Sequence, residues 1–181
     1  NGGACDDNDA CTVSDTCAGG SCKGGPDKLA AKTFDFHKGN DLFASAVALS
    51  DARALVAGAS QKSQTEVVAL VAEIGPDGAT RWSKSFTGGA FASFRDVAVL
   101  SNGQVVAVGQ RTVGASQQPW RVGVAGLSSA QDTVPATGMG SAANAVVAFG
   151  EGGVSVGGVG ENGVVWVFDD TLATVGEQQV G

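Results

Sequence analysis

The 181-residue sequence has no tyrosine, one histidine, one methionine and only four prolines. A single imidazole, His37, excludes two-histidine metal sites and most hydrolytic triads. No nucleophile elbow, phosphate loop or H-E-x-x-H pair occurs, so the sequence points away from an enzyme. Charged residues make up 16% of the chain, below the usual quarter. The 11 lysines and arginines are scattered against 18 acids, for a net charge of −7, which offers no basic face to nucleic acid. No apolar run approaches the 18 residues of a membrane helix. The densest, Val164-Val165-Trp166-Val167-Phe168, has the length of a buried strand, so no membrane span is expected. Cysteine is missing from every position after residue 22.

What is present begins with those cysteines. Cys5, Cys11, Cys17 and Cys22 stand in a segment of Asp, Asn, Gly, Ser and Thr that has too little apolar matter for a core. Such a segment needs covalent staples, and two disulfides are expected, with three pairings open. Zinc is the weaker alternative, because the paired C-x-x-C spacing is absent and His37 lies outside the cluster. Disulfides imply an oxidising compartment, so an extracellular or cell-surface location is expected. The sequence shows no charged region followed by an apolar one of the leader-peptide kind, so export implies that a leader was removed or lies outside this sequence.

Asp6, Asp7, Asp9 and Asp15 give residues 1–27 a charge of −4 with Lys23 and Asp27 included. Hard oxygens at this density are candidate calcium ligands, the one cofactor the sequence suggests. The twelve-residue calcium loop with its distal Glu is absent, however, and Asp and Asn also cap turns through their own backbone. The run Cys5-Asp6-Asp7-Asn8-Asp9-Ala10-Cys11-Thr12-Val13-Ser14-Asp15-Thr16-Cys17-Ala18-Gly19-Gly20-Ser21-Cys22 resembles the short Cys-rich repeats, C-D-D-G-N-x-C-T-x-x-D-x-C-x-x-G-x-C, of secreted and surface proteins of myxobacteria and slime moulds. It departs from them at Asn8, where they carry Gly, and at Asp9, where they carry Asn. Gly24-Gly25-Pro26-Asp27 reads as a linker, dividing a disulfide-rich segment, 1–27, from a main domain, 28–181.

The main domain repeats itself. Ala46–Gly58 and Val97–Gly109 align without a gap at an offset of 51, and Val146–Gly158 follows at 49. Each copy reads strand, polar turn, strand, glycine. A third strand follows each copy at Val67–Ile74, Arg121–Leu127 and Val164–Phe168. Turns are expected at Gly75–Gly78, Ser128–Ala130 and Asp169-Asp170. Fourth extended stretches follow at Thr80–Thr87, Thr133–Thr137 and Ala173–Val180, with one more, Ala31–Phe36, ahead of the first copy. The unit is four short antiparallel strands in about 50 residues, the sequence form of a propeller blade. With 28 glycines, about twice the usual share, tight turns and close strand approach are expected.

Residues 75–110, with Asp77-Gly78, Trp82, Phe86, Gly88-Gly89, Asp96-Val97-Ala98-Val99 and the closing Gly109, resemble the β-propeller repeats of secreted bacterial proteins. The resemblance implies an all-β fold of β-propeller-type four-stranded antiparallel blades, about three in number. They would span roughly 31–87, 80–137 and 133–180 with shared strands, forming an incomplete ring behind the disulfide-rich segment. Asp96 reads as a turn or strand-end hydrogen bonder. Trp82, Trp120 and Trp166 read as packing residues rather than ligand platforms. Propellers close with four to eight blades. Three blades imply a fragment, a pair of chains closing one ring, or an open array, so a free monomer is not expected. The function expected is a structural or binding module that assembles with other protein chains through exposed β edges. The alternatives are part of a larger extracellular propeller binding glycan or protein, or a piece of an extracellular hydrolase.

Overall fold

The computed structural model describes residues 3–6, 15–24, 32–125, 128–133, 142–150, 152–159 and 162–180. The chain divides into two compact units, Asn1–Phe34 and Asp35–Gly181. All described regular structure is β, and no described helix is long and apolar enough to cross a membrane.

The first unit holds a small hairpin, β1 (Thr16–Ala18) and β2 (Ser21–Lys23). Gly19 and Gly20 make its turn at φ 61° and 82°, a region that costs glycine little. Ala4 bridges to Thr16, and Cys17 N donates to Gly3 O at 3.0 Å. Cys5 and Cys22 form a disulfide with their Cα atoms 5.9 Å apart, consistent with an extracellular location. Cys17 faces Cys22 across the hairpin, but Cys22 is already bonded to Cys5, and Cys17 carries a free thiol rather than the expected disulfide. Cys11 lies outside the described residues.

The second unit is three consecutive four-stranded antiparallel meanders. Blade 1 is β3 (Asp41–Ala48), β4 (Ala54–Gln61), β5 (Val67–Ile74) and β6 (Thr80–Phe86). Blade 2 is β7 (Ala92–Val99), β8 (Val105–Val113), β9 (Ser116–Ala125) and β10 (Ser128–Thr133). Blade 3 is β11 (Ala142–Phe149), β12 (Gly152–Val159), β13 (Asn162–Phe168) and β14 (Thr174–Val180). No strand is shared between blades. The described residues of the stretch expected at Ala31–Phe36 form no strand: residues 32–35 have no regular structure and 36–39 bend, and Ala31 lies outside the described residues. Ser128–Ala130, expected as a turn, instead opens β10. Its small polar residues pair with the end of β9, Ser128 opposite Ala125 and Ser129 opposite Val124. The fourth stretch expected at Thr133–Thr137 therefore begins earlier, and residues 134–137 lie outside the described ones.

The blades form an open arc with blade 2 in the middle, and side-chain alternation explains the stacking. Along β8, Val105 and Ala107 pack toward blade 1 with Leu55, Ala57, Ala69, Val71 and Phe86. Val106 and Val108 pack toward blade 3 with Ala143, Val146, Val164, Trp166 and Phe168. Hence the uninterrupted Val-Val-Ala-Val of this strand: both of its faces are core. Phe86 meets Phe94 and Trp120 edge to face and Phe94 stacks on Trp120, locking the first seam with ring centroids 5.3–6.2 Å apart.

The repeat glycine has a steric cause. The first strand of each blade bulges at Ala44, Arg95 and Asn144. Opposite each bulge stands Gly58, Gly109 or, one residue before the Gly158 of the sequence repeat, Gly157. A Cβ there would lie 1.8 Å from Leu42 O, 2.0 Å from Ser93 O or 2.2 Å from Ala142 O.

Candidate functional site

Three constellations stand out, the first two where the blades meet. The first lies where the bulged inner strands run side by side. Asp96 sits just past the β7 bulge, inside the strand rather than in a turn or at its end. Its Oδ1 accepts from Ser45 Oγ of blade 1 at 2.5 Å and from its neighbour Val97 N at 2.9 Å. Its Oδ2 accepts from Val146 N of blade 3 at 2.9 Å. One carboxylate thus ties all three blades together. Beside it the Arg95 guanidinium donates to Asn144 Oδ1 at 2.7 Å and to Gln110 Oε1 at 3.0 Å. The bulge turns these side chains out of the normal alternation, which the sequence signalled only as an Asp before a Val-rich run.

The second is a cleft of about 890 Å³ at the seam of blades 1 and 2. Its apolar wall includes Leu49, Leu55, Val99, Val105 and Val124. Its polar side carries Ser50, Arg53, Glu73, Asn102 and Gln104. Glu73 Oε1 accepts from Arg53 Nη1 and Oε2 from Trp82 Nε1, both at 2.8 Å. The Arg53 hydrogen bond, with help from Trp82, holds the Glu73 carboxyl below the usual range against the opposing effect of burial. Of the three tryptophans, Trp120 and Trp166 are fully buried packing residues, whereas Trp82 is half-buried and lines the cleft.

The corresponding seam of blades 2 and 3 is filled. Arg121, wholly buried, lies 4.3 Å from the Phe168 ring centroid and donates to Leu172 O at 2.6 Å and Thr174 Oγ1 at 2.9 Å. Burial lowers the Arg121 pKa to about 10, partly offset by Asp169. A buried arginine between Trp120 and Val122 of β9 leaves no pattern to read in a single sequence.

The third involves the lone histidine. His37 is half-buried, its Nδ1 2.7 Å from Ser60 Oγ and its Nε2 3.3 Å from Ser85 Oγ. Forty-eight residues separate His37 from Ser85, so sequence inspection offered no companion for it. The arrangement pairs a hydroxyl with an imidazole, but the group on the far nitrogen is a neutral hydroxyl, not the carboxylate of hydrolytic triads.

The four candidate calcium ligands are not brought together by what is described. Asp6 is exposed, Asp15 is buried, and Asp7 and Asp9 lie outside the described residues. Among the described residues, no three His, Cys, Asp or Glu side chains converge as a metal site. Compared with models of known protein families and with curated proteins, the chain matches none.

Proposed function

We propose that this chain is a secreted or surface-displayed structural and binding module, not an enzyme, which assembles with a second copy of itself through the outer face of blade 3. The observation that carries this reading is a mismatch between equivalent faces. On blade 2, Ala98, Leu100, Val106 and Val108 are buried against blade 3. The same positions on the inner strand of blade 3 are Val147 and Phe149, and they are 65% and 78% exposed. Val165 and Val167 continue that face, their backbones paired with Val156 and Val154. The opposite end of the arc offers no such surface: Val68, Leu70 and Ala72, on the outer face of blade 1, are fully buried. A second copy therefore has one matching face to offer, its own blade 3, and the contact is two-fold.

A four-stranded face of seven or eight residues, with strands ~4.8 Å apart and ~3.3 Å per residue, covers roughly 450 Å². Two such faces bury close to 1,000 Å², near the lower bound for a specific interface. The β14 edge is a poorer surface, since it carries Glu177, Gln178 and Gln179. The hydrolase alternative draws on the Ser85–His37 contact, which lacks an acid to orient the imidazole.

Sedimentation of the full chain tests the proposal. The expected mass is twice 17.9 kDa, falling to the single-chain value in a Val147→Glu/Val167→Glu variant with an unchanged circular dichroism spectrum. A wild-type chain that stays monomeric at high micromolar concentration overturns it, and would favour a further blade of a longer polypeptide as the natural cover.

A further inference from the structure

The two seams of the arc are built from equivalent strands, yet one is closed and the other open. In blade 2, Gly123 pairs with Gln131 on the outer strand and with Val106 on the inner side. A Cβ on Gly123 would lie 2.7 Å from Leu172 Cδ1, so the missing side chain makes room for Leu172, which is fully buried. The equivalent pair in blade 1 is Glu73 with Trp82, and Glu73 also pairs with Leu55. Where blade 2 makes room for a leucine, blade 1 raises a carboxylate, and the space beside it is the cleft of about 890 Å³.

The chemistry of that cleft is specific. Arg53 and Glu73 neutralise one another at 2.8 Å, so the site has no net charge to attract an ion. The Trp82 indole edge is fixed by its bond to Glu73, which presets the ring at the wall of the cleft. Leu49 and Val99 supply apolar surface opposite hydrogen-bonding groups on Ser50 and Asn102. The volume lies within the roughly 300–1,000 Å³ of small-molecule sites. A ligand with one C–H face, several hydroxyls and no charge satisfies every wall at once.

We propose that the seam of blades 1 and 2 is a binding site for a neutral saccharide, with Trp82 as its stacking platform and Glu73 and Arg53 as its polar contacts. The site lies on a different seam from the exposed face of blade 3 and stands independently of the assembly reading.

Trp120 and Trp166 are 1% and 0% exposed, so acrylamide quenching of the native full chain reports on Trp82. The probes are neutral oligosaccharides of glucose, mannose, galactose and N-acetylglucosamine at millimolar concentration, with oligogalacturonate as the charged comparison. At least one neutral saccharide is expected to protect Trp82 from quenching, and oligogalacturonate is not. Calorimetry should show affinity for that saccharide about tenfold weaker in Glu73→Gln, whose amide still accepts from Trp82, and at least tenfold weaker in Trp82→Ala. Urea unfolding of each variant reports separately on folding. Failure of every neutral saccharide to protect Trp82 overturns the proposal, as does binding that survives unchanged in a folded Trp82→Ala chain, or a preference for oligogalacturonate.

Discussion

Asp96→Ala should loosen the whole arc although it removes only three heavy atoms. The carboxylate accepts from Ser45 Oγ, Val97 N and Val146 N. Ser45 is half-buried and its hydroxyl can turn to water, so its loss costs little. Val146 is only 5% exposed, and its backbone N–H loses the acceptor that the structure gives it once the carboxylate is gone. Leaving such a donor unsatisfied costs about 1–3 kcal/mol, and losing a hydrogen bond to a charged group costs about 1.5–3 kcal/mol. These two figures overlap, because both count the Val146 bond. A total of about 3 kcal/mol allows for the weaker Val97 contact. For a unit of this size that lowers the melting temperature by roughly 6–12 °C. Asp96→Asn retains one carbonyl oxygen and should lose about 1 kcal/mol. Urea titration of the full chain, with calorimetry alongside, measures both. An Asp96→Ala chain within about 0.5 kcal/mol of wild type, the scatter expected of ordinary surface substitutions, would refute the latch.

Three further outcomes follow from the same geometry. Glu73 has a folded-state pKa below its unfolded one, so its contribution is fully present above the ordinary carboxylate range and is lost as pH falls through the depressed folded value. Melting temperature measured across acidic pH should therefore fall more steeply in wild type than in Glu73→Gln, and parallel curves would contradict the pairing with Arg53. Gly109→Ala places a methyl 2.0 Å from Ser93 O and should destabilise the chain by about 3 kcal/mol or prevent folding, read by circular dichroism and soluble yield. Peptide mapping without reductant should recover Cys5 joined to Cys22, a link spanning 17 residues and contributing about 3 kcal/mol to the small unit; Cys5 joined to Cys11 or Cys17 would be the contrary result.

The inner hairpins were legible because two independent signals coincided. Ala46–Gly58 and Val97–Gly109 repeat an alternating pattern and end in the same residue, and that residue proves to be the one facing a bulge. The outer strands carried weaker signals. Ser128-Ser129-Ala130 has turn-like composition, and only its pairing with Val124 and Ala125 makes it a strand. Ala31–Phe36 was expected as a strand by analogy with the fourth stretches of the repeat, yet Phe36 instead packs edge to face on Phe43. The sites were less visible still. Asp96 works through a backbone N–H fifty residues away, and Trp82 differs from Trp120 and Trp166 only in what stands opposite it. Such relations belong to the stacking of blades, which no local window contains.

Blade 2 carries oil on both sides, and this has a bearing on how the chain comes into being. Synthesis proceeds from the amino terminus, so blade 1 is ready to receive blade 2 as it emerges. Until roughly fifty more residues have been translated, Leu100 and Val108 have nothing to lie against. During that interval the nascent polypeptide is sticky in a defined place, and a holding chaperone or a slow codon stretch would act most usefully there.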